Sequence, residues 1–141
     1  MRSYRWRVVG YTLAVVMMVG NALVMVTAEQ ASTAGPTTVS QAAFPVTVGD
    51  GTYNLINLVL DFAPGSGVPK HYHGGPVVVT VLSGEITLLQ SARERVVKAG
   101  ESWTEQRGEV HAVVNRSSRA TRVAVSLLLP MGADATTLVK Q

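Results

Sequence analysis

The 141-residue sequence contains no cysteine. Disulfide bonds, thiolate metal sites and a cysteine nucleophile are therefore excluded. Aromatic residues account for only 6% of the chain and are not interleaved with a basic patch. The sequence has no phosphate-binding loop, no Gly-x-Gly-x-x-Gly motif and no Gly-x-Ser-x-Gly nucleophile motif. It thus lacks the common signatures of thiol chemistry, nucleotide binding and serine hydrolysis.

The net charge is zero once residues 1–28 are set aside. The formal net charge is +3, but three of the twelve lysine and arginine residues are Arg2, Arg5 and Arg7. From Glu29 onward, nine acidic residues balance the basic residues that remain. A domain that binds nucleic acid carries a basic face, so no nucleic-acid partner is expected.

One long apolar run, Val8–Val26, follows the three N-terminal arginines. A helix that spans a bilayer needs about 20 apolar residues, whereas the core of a secretory signal has about 7–15. The length of this run lies between the two. Residues 1–28 are therefore predicted to form a hydrophobic helix, either a cleaved signal peptide or a retained membrane anchor. In both cases the arginines predict that the chain after Val26 lies outside the cytoplasm.

The rest of the chain divides into three segments of different composition. Residues 29–43 are rich in Ala, Ser, Thr and Gln and are predicted to be a flexible linker, although Thr37–Val39 could pair as an edge strand. Residues 44–130 consist of short β-like runs separated by glycine turns, which predicts an all-β antiparallel sandwich or barrel. Residues 131–141 form a tail that could add a short helix or a strand. Such a small core is marginal alone, so a homodimer is expected.

The three histidines of the chain are His71, His73 and His111. Side chains on a strand point to the same face at every second residue, so His71 and His73 can aim at one point. A third imidazole from a neighbouring strand would place three ligands on one side of a metal ion. The positions left open would admit water or substrate, as a catalytic metal site requires.

These histidines lie in two motifs that resemble those of the cupin superfamily. The first motif places a glycine five residues before His-x-His and closes on another glycine, as Gly65, His71-Tyr72-His73 and Gly84 do. The second is matched by four positions in register: Gly100, Gly108, His111 and Asn115. The resemblance is to small single-domain cupins. It implies a double-stranded β-helix, or jelly-roll, barrel in which the motif histidines bind a divalent metal ion.

The sequence departs from this family pattern at two positions. Gln106 stands where the second motif has proline, which affects only the stiffness of a turn. Val77 stands where the first motif has its metal-binding glutamate, and valine cannot bind a metal. Either three histidines suffice, or a carboxylate from elsewhere takes this place. Glu105 is the candidate, as a fourth ligand, as a hydrogen-bond acceptor for an imidazole or as a catalytic general base.

Two functions are compatible with such a site. A three-histidine centre suits Fe, Mn, Ni, Zn or Cu, and could support a dioxygenase-like or isomerase-like enzyme that acts on a small organic molecule. Glu105 would then move protons. The alternative is a non-catalytic module outside the cytoplasm that binds or senses a metal or a small ligand, because fold alone does not determine function.

Overall fold

The computed structural model describes residues 14–19, 22–27 and 34–140. The chain divides into two compact units, Met1–Ala31 and Ser32–Gln141. In the first unit, β1 (Ala14–Val19) pairs antiparallel with β2 (Ala22–Thr27). The rest of the segment predicted as a hydrophobic helix lies outside the described residues, so that helix stays a prediction. No helix within the described ranges is long and apolar enough to cross a membrane.

The second unit is built from ten strands. They are β3 (Thr37–Val48), β4 (Gly51–Phe62), β5 (Gly67–Tyr72), β6 (Val77–Ser83), β7 (Glu85–Gln90), β8 (Arg93–Lys98), β9 (Ser102–Glu105), β10 (His111–Val114), β11 (Thr121–Pro130) and β12 (Thr137–Leu138). One sheet has the order β12-β5-β10-β7-β8 and the other the order β3-β4-β11-β6-β9. All neighbours pair antiparallel. The predicted all-β fold is therefore confirmed for this unit.

The two sheets enclose the hydrophobic core. Strand β11 shows how the sequence produces it, because Val123, Val125, Leu127 and Leu129 are buried while the residues between them are more exposed. This alternation is the two-residue period of a strand with one face on a core. The buried side chains of the opposite sheet complete the core: Ile86, Leu88, Val97 and Val113.

Three polar or Gly/Pro-rich segments contribute residues to strands. The first half of β3 falls within residues 29–43, which were predicted to be a linker, and pairs with β4. Residues 64–70 are rich in Gly and Pro and were predicted to form a loop, but strand β5 begins within them, at Gly67. Within the tail, the short strand β12 pairs with β5. In each case pairing with a neighbouring strand, which local composition does not encode, orders a polar or Gly/Pro-rich segment.

Candidate metal centre

The structure brings the three histidines together inside the second unit. His71 lies at the end of β5, His73 follows that strand, and His111 begins β10 directly opposite His71. Their side chains are buried, and one ring nitrogen from each lies within 4.8 Å of the other two. The spacing expected from strand alternation is therefore found, and the group has the dimensions of a metal site.

A hydrogen bond at Nδ1 fixes the orientation of each imidazole ring. Every Nδ1 lies within hydrogen-bond distance of a backbone carbonyl: His71 with Pro69 at 2.8 Å, His73 with Ala135 at 2.6 Å and His111 with Glu109 at 2.9 Å. A carbonyl oxygen only accepts hydrogen bonds, so each Nδ1 carries the proton. In the neutral ring, Nε2 then presents its lone pair. This tautomer is the one that binds a metal through Nε2.

Glu105 faces the same point from β9. Its Oε2 lies 3.1 Å from Nε2 of His73, and its Oε1 lies 3.1 Å from Nε2 of His111. The indole Nε1–H of Trp103 donates to Oε1 at 2.8 Å. Glu105 is only 2% exposed, so this carboxylate is held in the interior among three ring nitrogens of other side chains.

Two buried atoms of this cluster lack hydrogen-bond partners. They are Oε2 of Glu105 and Nε2 of His111. Unsatisfied buried polar atoms are rare, and here a carboxylate faces imidazole nitrogens that present lone pairs. Atoms that only accept need a cation between them. The donor set therefore fits a divalent metal ion bound by histidine nitrogens, with a carboxylate beside it.

The protonation states agree with this arrangement. Burial lowers the pKa of His71 to about 4, so its ring is neutral at physiological pH. Burial works to raise the pKa of Glu105, but contact with His111 and His73 outweighs it and lowers this pKa to about 2. Burial likewise opposes the protonated form of His111, yet the Glu105 carboxylate raises the pKa of His111 overall. In the metal-free site, Glu105 therefore attracts a proton to the position where a cation fits.

A backbone carbonyl and a side-chain hydroxyl of the C-terminal segment also belong to this site. The carbonyl of Ala135 fixes the ring of His73, and the hydroxyl of Thr136 lies 3.3 Å from the same Nδ1. Sequence reasoning missed this contribution, because a main-chain carbonyl can come from any residue. Trp103 is buried in the core, and its indole N–H donates a hydrogen bond to Glu105. Asn115 has a structural role, because its side-chain amide donates to the carbonyls of Phe62 and Arg119.

A cavity of about 230 Å³ extends from the histidines between the two sheets. His71, His73 and Glu105 contribute to its wall. Most other wall residues are aliphatic and come from both sheets, among them Leu58, Val79, Val125, Val68, Ile86 and Val113. The site therefore opens onto a largely apolar chamber.

Comparison with known proteins agrees with this geometry. Residues 58–128 match the family model of the cupin domain. No curated protein sequence matches the chain.

Several solved structures share the fold. A conserved double-stranded β-helix protein from Klebsiella pneumoniae is 22% identical, with a TM-score of 0.54, over 77% of this chain and 92% of that one. The polyketide cyclase RemF from Streptomyces resistomycificus is 22% identical, with a TM-score of 0.55, over 76% of each chain. The DMSP lyase DddQ from Ruegeria pomeroyi is 20% identical, with a TM-score of 0.54, over 70% of this chain and 51% of that one. At these identities the likeness concerns the fold.

Proposed function

This chain belongs to the cupin-domain family, and on that premise we propose that it binds a divalent metal ion and acts as an enzyme on a small organic molecule. His71, His73 and His111 hold the metal. One observation carries the proposal. The carboxylate of Glu105 lies 3.1 Å from Nε2 of His73 and 3.1 Å from Nε2 of His111, and the Nδ1 atom of each ring donates to a backbone carbonyl. A bound cation satisfies these facing acceptors.

A divalent metal ion in this site would supply Lewis-acid polarisation or dioxygen chemistry. The protein's own contribution comes chiefly from Glu105. Its Oε1 accepts a hydrogen bond from the indole of Trp103, whereas its Oε2 has no hydrogen-bond partner, and Glu105 lines the cavity. Glu105 therefore accepts a proton from a bound substrate at Oε2 and returns it at another position. Such a proton transfer would serve a dioxygenase-like or an isomerase-like reaction.

The alternative is a non-catalytic module that binds or senses a metal or a small ligand. The observation that favours it is Val77, because the family's usual carboxylate is missing from that position. The fold is compatible with both functions, since fold does not determine function. Structures that share it include a cyclase and a lyase. The two functions differ in turnover, so oxygen consumption and product formation with small diketones and thiols discriminate between them.

The metal content of the full chain tests the proposal. The protein is purified without a metal-binding tag, incubated with Fe(II), Mn, Ni, Zn or Cu ions, desalted and measured by elemental mass spectrometry. We expect about one metal ion per chain in the wild type and less than about a tenth of that in His111→Gln, because one of three ligands is lost. Glutamine preserves the size of the side chain, and circular dichroism verifies the fold.

Val114→Ala serves as the matched control, because Val114 lies on the same strand and on its less buried face. This variant should bind as much metal as the wild type. A wild-type protein that takes up none of the five ions would refute metal binding. Equal metal content in His111→Gln and wild type would show that the ion binds elsewhere.

We also propose that the second unit acts outside the cytoplasm, that residues 1–28 export it or anchor it in the membrane, and that it forms a homodimer. The N-terminal arginines followed by the apolar run support the first two points. Protease treatment of intact cells should cleave the second unit, and the mass of the recovered protein reports whether residues 1–28 remain. Sedimentation of the purified chain at several concentrations tests the dimer.

A further inference from the structure

The cavity beside the histidines has a composition that restricts what can enter it. No lysine or arginine lines it within the part of the chain that the structure describes. The one acidic side chain in its wall, Glu105, is already engaged with His73, His111 and Trp103. A ligand with a second charged group would leave that charge buried without a partner, and a sugar would leave hydroxyl groups unsatisfied. Both losses are expensive in an apolar chamber.

The volume of the cavity restricts the ligand further. An engineered apolar cavity of about 150 Å³ accommodates benzene. By that standard, a cavity of about 230 Å³ accommodates roughly nine non-hydrogen atoms. One ring or a short branched chain therefore fits, whereas two linked rings do not.

The polar and apolar parts of the cavity are also segregated. His71, His73, Glu105 and Thr136 lie together, and apart from Gln41 on β3 the rest of the wall is apolar and comes from both sheets, with Leu58, Val79 and Ile86 as examples. A ligand can satisfy this arrangement only if it has one polar end and one apolar end. The polar end then meets the metal centre, and the apolar end lies between the sheets.

We propose that the substrate or ligand is a small compound with one metal-chelating oxygen group and an uncharged apolar body of no more than about nine non-hydrogen atoms. This inference rests on the proposed metal site, which holds the chelating end. The apolar body lies against Leu58, Val79 and Val125. Specificity comes from the size and lack of charge of the body, since the wall offers no cation to recognise a second acidic group.

Hydroxamates with a constant chelating head and a varied body test the proposal on the metal-loaded full chain. Acetohydroxamate carries only a methyl group, benzohydroxamate a phenyl ring, 4-carboxybenzohydroxamate a charged ring and biphenyl-4-hydroxamate two rings. We expect benzohydroxamate to bind at least tenfold more tightly than acetohydroxamate in calorimetry, because it buries a side-chain-sized apolar group. The charged ring and the double ring should each lose that gain.

Two variants of β4 locate the apolar body. Leu58→Phe fills part of the cavity and should abolish the preference for benzohydroxamate while acetohydroxamate binding stays unchanged. Val59→Phe is the matched control, because Val59 is adjacent and does not line the cavity. Unfolding curves show whether both variants fold. If Leu58→Phe does not fold, Leu58→Ala replaces it, and the enlarged cavity should then accept biphenyl-4-hydroxamate.

The outcomes separate this inference from the proposed function. Metal uptake with equal affinity for acetohydroxamate and benzohydroxamate would overturn the inference and leave the metal site intact. Preferred binding of 4-carboxybenzohydroxamate would overturn it as well. Absence of metal from the wild type would overturn the proposed function itself, and benzamide, which has the ring without the chelating hydroxyl, would then report whether the apolar chamber binds a ring alone.

Discussion

Val77 on β6 and Glu105 on β9 are paired directly across two antiparallel strands. Both side chains are buried, with exposures of 1% and 2%. Residues paired in this way have Cβ atoms about 4.5–5.5 Å apart. The position at which the family motif carries its carboxylate is therefore next to the position at which this chain carries one. In this chain a carboxylate on the neighbouring strand reaches His73 and His111.

This pairing predicts that a carboxylate at position 77 can replace the carboxylate of Glu105 in supporting metal binding. Glu105→Val alone should weaken metal binding by about 10–100-fold, because the group that supports two histidines is lost. Adding Val77→Glu should recover much of that affinity, since the new carboxylate enters from the adjacent strand. Competition with a chelator of known affinity measures both effects. A double variant no better than Glu105→Val would contradict the exchange.

The metal-free protein should lose stability as the pH falls from about 6.5 to about 4.5. Burial lowers the pKa of His71 to about 4 in the folded chain, whereas the unfolded chain titrates at 6.5. Between these values only the unfolded chain binds the proton, so protonation favours unfolding, and the contribution of His71 over this range is about 2 kcal/mol. Urea denaturation measures the free energy of unfolding at both pH values.

His71→Gln isolates this contribution, because glutamine does not titrate. The variant should lose less stability than the wild type over the same pH range. His111 does not obscure the comparison: its pKa is raised, so its stabilisation is complete below pH 6.5 and declines only as the pH increases. The lowered pKa of Glu105 acts mainly below its usual 4.5. Equal losses in both proteins would show that His71 is not held neutral by burial.

Gly74→Ala should weaken metal binding through the C-terminal segment. A Cβ at this position would lie 2.6 Å from the carbonyl oxygen of Asp134, so the segment must move. The adjacent carbonyl of Ala135 then no longer fixes the ring of His73, which should reduce metal affinity by about 10–100-fold. Chelator competition is the measurement. Gly35→Ala is the matched control, because a Cβ there meets nothing within 4 Å, and its affinity should be that of the wild type.

Trp103→Phe should destabilise the protein by about 1.5–3 kcal/mol, the typical value of a hydrogen bond to a charged group. Phenylalanine keeps much of the apolar packing but cannot donate to Oε1 of Glu105. Urea denaturation gives the change in the free energy of unfolding. In a Glu105→Val background the same substitution should cost clearly less, because the acceptor is already absent. Equal costs in both backgrounds would mean that the indole acts only through packing.

The sequence alone predicted the class of the fold and the histidine cluster. Both follow from local periodicity: alternating apolar residues predict strands with one buried face, and two histidines separated by one residue must share a face. The motif spacing around His111 then indicated the third ligand. The strand pattern and the His71–His73 pair depend on residues near one another in the chain, so their spacing in the sequence carries over to the structure.

The tertiary structure decided what lies beside the cluster. Glu105 was a candidate on sequence grounds, but only the register of β6 against β9 placed it opposite Val77. The carbonyl of Ala135 reaches His73 because β12 pairs with β5, although the two residues are 62 positions apart. The cavity arises where two sheets face each other. Strand register, main-chain contacts and the space between sheets depend on distant segments, and no local pattern in the sequence specifies them.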